Sequence, residues 1–208
     1  MALLLRNTPS KSSLCLLQKT KSEGKVDLVL GMFLLLMIVL VVMYESRLQA
    51  IRLAGDAVED ALAGALLAAA VTDVETYGKT GELKINNVMQ SYHMCMDTFR
   101  HNLQLSVGNY SINEELLYGK AELADFRIYH VEGDGVTEQI VVAGQSMLPK
   151  VVGRVGDAKT PDGVLVESTL VYGKVLFSVK GLFFEEICAD KEMSVDIVRN
   201  EEIVNEKE

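Results

Sequence analysis

"LLLMIVLVVMYESRLQAIR" (residues 34–52) begins as hydrocarbon and ends charged, and nothing between the two halves stops a helix. No proline, glycine pair or turn cluster interrupts it. The apolar run reaches back to Leu28, so residues 28–44 are 17 consecutive apolar positions with Gly31 the only weak helix former. At about 1.5 Å per residue this is about 25 Å, the short end of what spans the hydrocarbon core of a bilayer. Val26 extends one end, and Tyr44 suits the headgroup level at the other. A buried core helix of such purity is out of scale in a chain of 208 residues. The stretch therefore predicts one membrane-spanning helix that runs on into water.

The flanks orient it. Residues 1–25 carry Arg6, Lys11, Lys19, Lys21 and Lys25 against Glu23 alone, a local net charge of +4. Residues 45–208 carry 15 basic and 27 acidic side chains, a net of −12. A basic leader ahead of the first span predicts a cytoplasmic N-terminus and an extracytoplasmic acidic part. That acidity argues against nucleic acid as a partner, since phosphate binding needs a basic face. Neither "ALLL" nor "LCLL" in the leader is long enough to span, and Leu14 before Cys15 is too large for a lipoprotein cleavage site. No small-x-small pattern follows the span, so it reads as a retained anchor rather than a secretory signal.

Beyond the span, polar side chains recur at Glu45, Gln49, Arg52, Asp56, Glu59 and Asp60, opposite Leu48, Ile51, Ala54, Val58, Ala61, Leu62 and Ala65. Steps of three and four predict an amphipathic helix to Glu75. Ala57, Ala61, Ala65 and Ala69 form a small-residue stripe on it, suited to close helix packing inside this subunit or against a neighbour. Alanine is also simply the best helix former. Gly78 and Gly81 break the rod. A second helix follows over residues 86–105, with Val88, Tyr92, Met96, Phe99 and Leu103 on one face.

From Ala124 the period shifts towards two. "ADFRIYHVE", "VTEQIVVAG", "GVLVESTLVYGKVLFSVKGLFF" and "MSVDIVRN" read as strands. "EGDGV" (residues 132–136) predicts a hairpin turn and "GDAKTPDG" (residues 156–163) a loop. The fold class is α+β: a transmembrane-to-soluble helix, a second helix and a small, mostly antiparallel sheet. The expected organisation is a leader over residues 1–24, the long helix over 25–75 and an extracytoplasmic domain over 76–208.

Little in the chain suggests catalysis. His93, Asp97 and His101 share one helix face at four-residue steps, a conceivable divalent-metal set. However, residues eight apart on a helix are about 12 Å apart along its axis, so both histidines cannot hold one ion. A solvated polar face accounts for them. No nucleophile elbow, zinc-protease, phosphate-loop or dinucleotide motif occurs, and no cofactor is expected. The expectation is a protein without enzymatic activity. Cys95 and Cys188 would both lie outside, where they either form one disulfide or remain two separate buried thiols.

The basic leader, the span that continues unbroken, "AAAVTDVETYGKTGEL" and "MDTFRHNLQL" together resemble the TadE-like pseudopilins of Gram-positive Tad (Flp-type) pilus systems. The resemblance covers most of residues 24–200. It implies a pilin-like fold, assembly through N-terminal helices with other pilin-like subunits and the pilus machinery, and a leader removed by a prepilin peptidase after Gly24. The chain departs from the pilin pattern where it matters for processing. Glutamate is usual five residues past the cut, and here that position is Val29, with Asp27 the nearest acid. Asp27 either meets a neighbour's new N-terminal amine or caps the start of the helix at the headgroup level. The other functional class is a membrane-anchored binding or sensory module that uses its acidic sheet.

Overall fold

The computed structural model describes residues 11–70, 78–79, 84–112, 116–142, 144–181 and 185–197, with side chains from Val26 onwards. Helix α1 (Lys11–Ala69) is 59 residues long and passes through Gly24 and Lys25 without a break. The chain divides into two compact units, Met1–Leu48 and Gln49–Glu208, so the division falls inside this helix. It differs from the expected boundary at residue 76 because the second half of α1 is core to the sheet domain.

In the first unit, every described side chain from Val26 to Tyr44 is exposed. Val26–Ala69 contains a stretch long and apolar enough to cross a membrane, and none of that stretch is buried by the rest of the protein. Just past its far end the Ser46 hydroxyl donates back to the Val42 carbonyl at 2.8 Å. This internal bond satisfies the hydroxyl without breaking the helix.

In the second unit α1 changes role. Ala54, Val58, Ala61, Leu62, Ala65, Leu66 and Ala69 are buried, at the three- and four-residue spacing of one helix face. Arg52, Asp56 and Asp60 are exposed on the other side. The helix runs to Ala69 and Ala70 forms a turn; the expected continuation to Glu75 lies outside the described residues. Helix α2 (Val88–Asn102) is shorter than the expected 86–105 because its caps fix it. The Asn87 side-chain oxygen accepts from the Gln90 N–H at 3.0 Å, and Gln104 adopts a left-handed φ of 52° just past the helix. That capping oxygen satisfies one of the N–H groups a helix start leaves without a partner.

Six strands follow: β1 (Ala121–Glu132), β2 (Gly135–Val142), β3 (Gln145–Ser146), β4 (Lys150–Arg154), β5 (Leu170–Lys180) and β6 (Glu186–Asp196). All pairings are antiparallel, in the order β3-β2-β1-β5-β6, with β4 also on the outer edge of β2. Valine, isoleucine and aromatic residues at alternate positions suit such a half-buried pleated surface. The β1–β2 hairpin closes through Gly133 and Asp134, where Gly133 has φ +58°. Glycine tolerates that value at the first central position of a two-residue hairpin turn.

Residues paired across antiparallel strands share a face. Phe126, Ile128, Val171, Val175 and Phe177 face α1 and α2 in the main core, together with Cys95, Phe99 and the buried residues of α1. Gly173 marks the closest approach. A Cβ there would stand 2.8 Å from Leu66 Cδ2 and 3.3 Å from Leu62 Cδ1. Glu59 on α1 and Lys191 on β6 add an ion pair to this contact. The opposite face carries a second, smaller core of Tyr129, Val136, Leu170 and Tyr172, covered by Ala158 and Val166.

Cys95 and Cys188 are both free, Cys95 buried and Cys188 exposed, so they form neither a disulfide nor a pair of buried thiols. Cys95 faces the main core from α2, and Cys188 opens outward from β6. Burial pushes the Cys95 thiol up to about 12. A thiolate is the reactive form, so Cys95 is inert at neutral pH. A maleimide added to the folded protein is expected to label Cys188 within minutes and Cys95 only after denaturation. Equal labelling of both in the folded state would contradict this core.

Candidate functional site

The most organised polar arrangement lies on the sheet face opposite the helices. Asp125, Arg127 and Tyr129 alternate on β1 and project to that side, because Phe126 and Ile128 take the core side. Arg127 donates to Asp125 Oδ2 from Nε at 2.9 Å and from Nη2 at 2.6 Å. Its Nη1 donates to Glu138 Oε1 on β2 at 3.0 Å. The same Glu138 oxygen accepts from the Tyr129 hydroxyl at 2.7 Å. The guanidinium also lies over the Tyr172 ring, 5.9 Å from its centroid. One cation thus joins two carboxylates and an aromatic face, using the planar fork that lysine lacks.

A second group continues across β5 and β6. The Tyr172 hydroxyl donates to Glu192 at 2.9 Å. Lys174 pairs with Asp190 at 2.7 Å and with Glu192 at 3.6 Å. The Ser194 hydroxyl lies 2.9 Å from both oxygens of Asp162, which fastens the segment containing Pro161 onto β6. Burial, then the bond to Glu138, pushes the Tyr129 hydroxyl well above its ordinary range. Burial and Glu192 do the same to Tyr172. Both phenols therefore stay protonated donors. Asp196 is pushed up by burial and by Glu167.

These groups satisfy one another, which is what a half-buried polar network must do to be tolerated. The arrangement has the chemistry of a rigid, acid-rich surface. Arg127→Ala leaves Glu138 and Asp125 without their cation. The side-chain exposures are 27% for Arg127 and 12% for Glu138, so solvent screens part of the loss. We expect about 1–3 kcal/mol of destabilisation in urea unfolding, with Arg127→Lys retaining part of it. An unchanged midpoint for Arg127→Ala would contradict the network.

The sites expected from the sequence fall elsewhere. His93, Asp97 and His101 are exposed, and no group of three or more histidine, cysteine or acidic side chains among the described residues could hold a metal ion. Gly24 and Asp27 lie inside α1, so Asp27 does not cap a helix start. The side chain of Asp27 is exposed. Ala61, Ala65 and Ala69 are 4%, 0% and 0% exposed and belong to the subunit's own core, while Ala57 is half-buried. These three alanines pack inside the subunit and offer no surface to a neighbouring helix. The Arg127–Glu138 network was not anticipated, although the hairpin turn read from "EGDGV" already places Tyr129 opposite Glu138. No protein-family model, curated protein or solved structure matches the chain.

Proposed function

We propose that this protein is a membrane-anchored, pilin-like assembly subunit that takes part in Tad-type pilus biogenesis or secretion. The observation that carries the reading is α1 itself. One unbroken helix exposes all its apolar side chains over residues 26–44 and from Ala54 serves as the core helix of an antiparallel α+β domain. This is the plan the resemblance to TadE-like pseudopilins implies, with the N-terminus cytoplasmic and the acidic domain outside. With three of the stripe alanines committed to the subunit's core, the surface left for helix association is the apolar segment itself. Gly31, whose would-be Cβ would meet nothing beyond its own helix, is the one glycine there and lets another backbone come close at little steric cost.

The acid-rich sheet face supports a second reading, an anchored binding module that acts as a single subunit. A photo-crosslinking residue at Ile38 in living cells separates the two. The assembly reading predicts adducts with a second copy or with another small single-span subunit. Adducts with lipid alone would overturn it in favour of the anchored module.

A further inference from the structure

We propose that His130, Lys84 and Glu132 form an acid-sensitive latch holding the start of α2 on the sheet. His130 is 7% exposed on the helix-facing side of β1, and its Nδ1 is buried with no hydrogen-bond partner. A buried, unpaired ring nitrogen is uncommon and calls for a reason. Glu132 lies two residues further along β1 and therefore on the same face. Lys84, in the segment that leads into α2, donates to the Glu132 carboxylate. Between Lys84 and the helix, Ile85 is buried at 3% exposure and Asn87 caps the first turn. The ion pair thus ties down a short strap that carries both the core contact and the cap of α2.

Among the described residues three charged or titratable groups meet here: Lys84 from the strap, and His130 and Glu132 from β1. The residue opposite His130 on β2 is the uncharged Thr137. Protonating His130 gives Nδ1 a hydrogen with no acceptor and sets a second cation beside the Lys84 ammonium. Among the described residues Glu132 is the carboxylate placed to relieve it, and an imidazolium drawing on Glu132 competes with Lys84 for it. The strap then loses its charged tie to β1. Burial, followed by the Lys84 charge, accordingly holds the imidazole below its ordinary value of 6.5. The direction sets the window. The latch is fully closed above about pH 6.5 and weakens as pH falls, by at most about tenfold in the opening constant per pH unit for one proton.

Hydrogen exchange on the full-length chain in nanodiscs reads the latch directly. Opening constants for the Gln90 and Ser91 amides, corrected for intrinsic exchange, are measured at about pH 7.5 and 5.5. The expected result is a several-fold to tenfold rise at the lower pH, absent in His130→Phe. Glu132 is an exposed partner, so Glu132→Gln folds regardless, and its opening constant at the higher pH should rise several-fold towards the acid value. A wild-type opening constant equal at both pH values would overturn the proposal. So would a Glu132→Gln variant as tightly closed as wild type at the higher pH, or a folded His130→Phe variant that keeps the acid response.

Discussion

Gly173→Val is expected to remove a large share of the stability of the domain of residues 49–208. The first atom of the new side chain would arrive 2.8 Å from Leu66 Cδ2 and 3.3 Å from Leu62 Cδ1, and two methyl groups lie beyond it. Both leucines are almost fully buried, so neither can turn into open space. Overpacking one such site costs typically about 1–3 kcal/mol and occasionally more, against a total stability of about 5–15 kcal/mol for a domain. Ala61→Leu with Ala65→Leu attacks the same helix–sheet contact from the other side and should lose about as much at each position. Gly55→Ala is the control. Nothing lies within 4 Å of its would-be Cβ, so it should stabilise α1 by about 0.5–1 kcal/mol through helix propensity alone. Urea midpoints for the three variants decide the matter. A Gly173→Val midpoint close to wild type would mean that α1 does not rest on β5.

The alanine stripe shows how far the sequence could be read. Small residues at four-residue steps state that something packs closely, but the same pattern serves a neighbour's helix or the subunit's own sheet. What decides is Gly173, more than a hundred residues away, whose missing side chain makes room for Leu62 and Leu66. The two-part character of α1 was legible because hydropathy changes sharply after Tyr44 while helix propensity does not. The central strands were legible through alternating β-branched residues, and the β1–β2 register through its turn. Strands β3 and β4 were not, since "QSMLPKVVGR" (residues 145–154) has a proline, a glycine and no clear period, and pairs only because β2 offers an open edge. The second core beneath Ala158 and Val166 escaped for a related reason. Those residues sit in an aperiodic segment whose cover of Tyr129 and Tyr172 depends on non-local contacts such as Ser194 to Asp162. Nor could Lys84 have been matched with Glu132 before the fold joined them.

The second large effect concerns the anchor. Leu36→Arg together with Val39→Arg places two guanidinium groups near the middle of the apolar segment, where each costs about 2.5–3.5 kcal/mol in insertion. The segment holds no acidic side chain between Leu28 and Tyr44 to compensate. The double variant should therefore leave the membrane fraction on alkaline extraction, while wild type stays in the pellet. The sheet domain should keep its urea midpoint, since its core and the residues packed on it begin at Ile51, well past the two substituted positions. Retention of the double variant in the membrane would show that some other part of the chain holds it there.

The central claim is that one continuous helix has lipid around its first part and its own domain around its second. The protein contains no tryptophan, so a single introduced indole is an unambiguous reporter. Leu36→Trp and Leu53→Trp occupy exposed positions on either side of Tyr44, 55% and 64% exposed in the wild-type protein. In vesicles, Leu36→Trp fluorescence should be quenched by lipids brominated along their acyl chains and be insensitive to aqueous acrylamide. Leu53→Trp should show the reverse. Acrylamide quenching of Leu36→Trp with no response to brominated lipid would contradict the account.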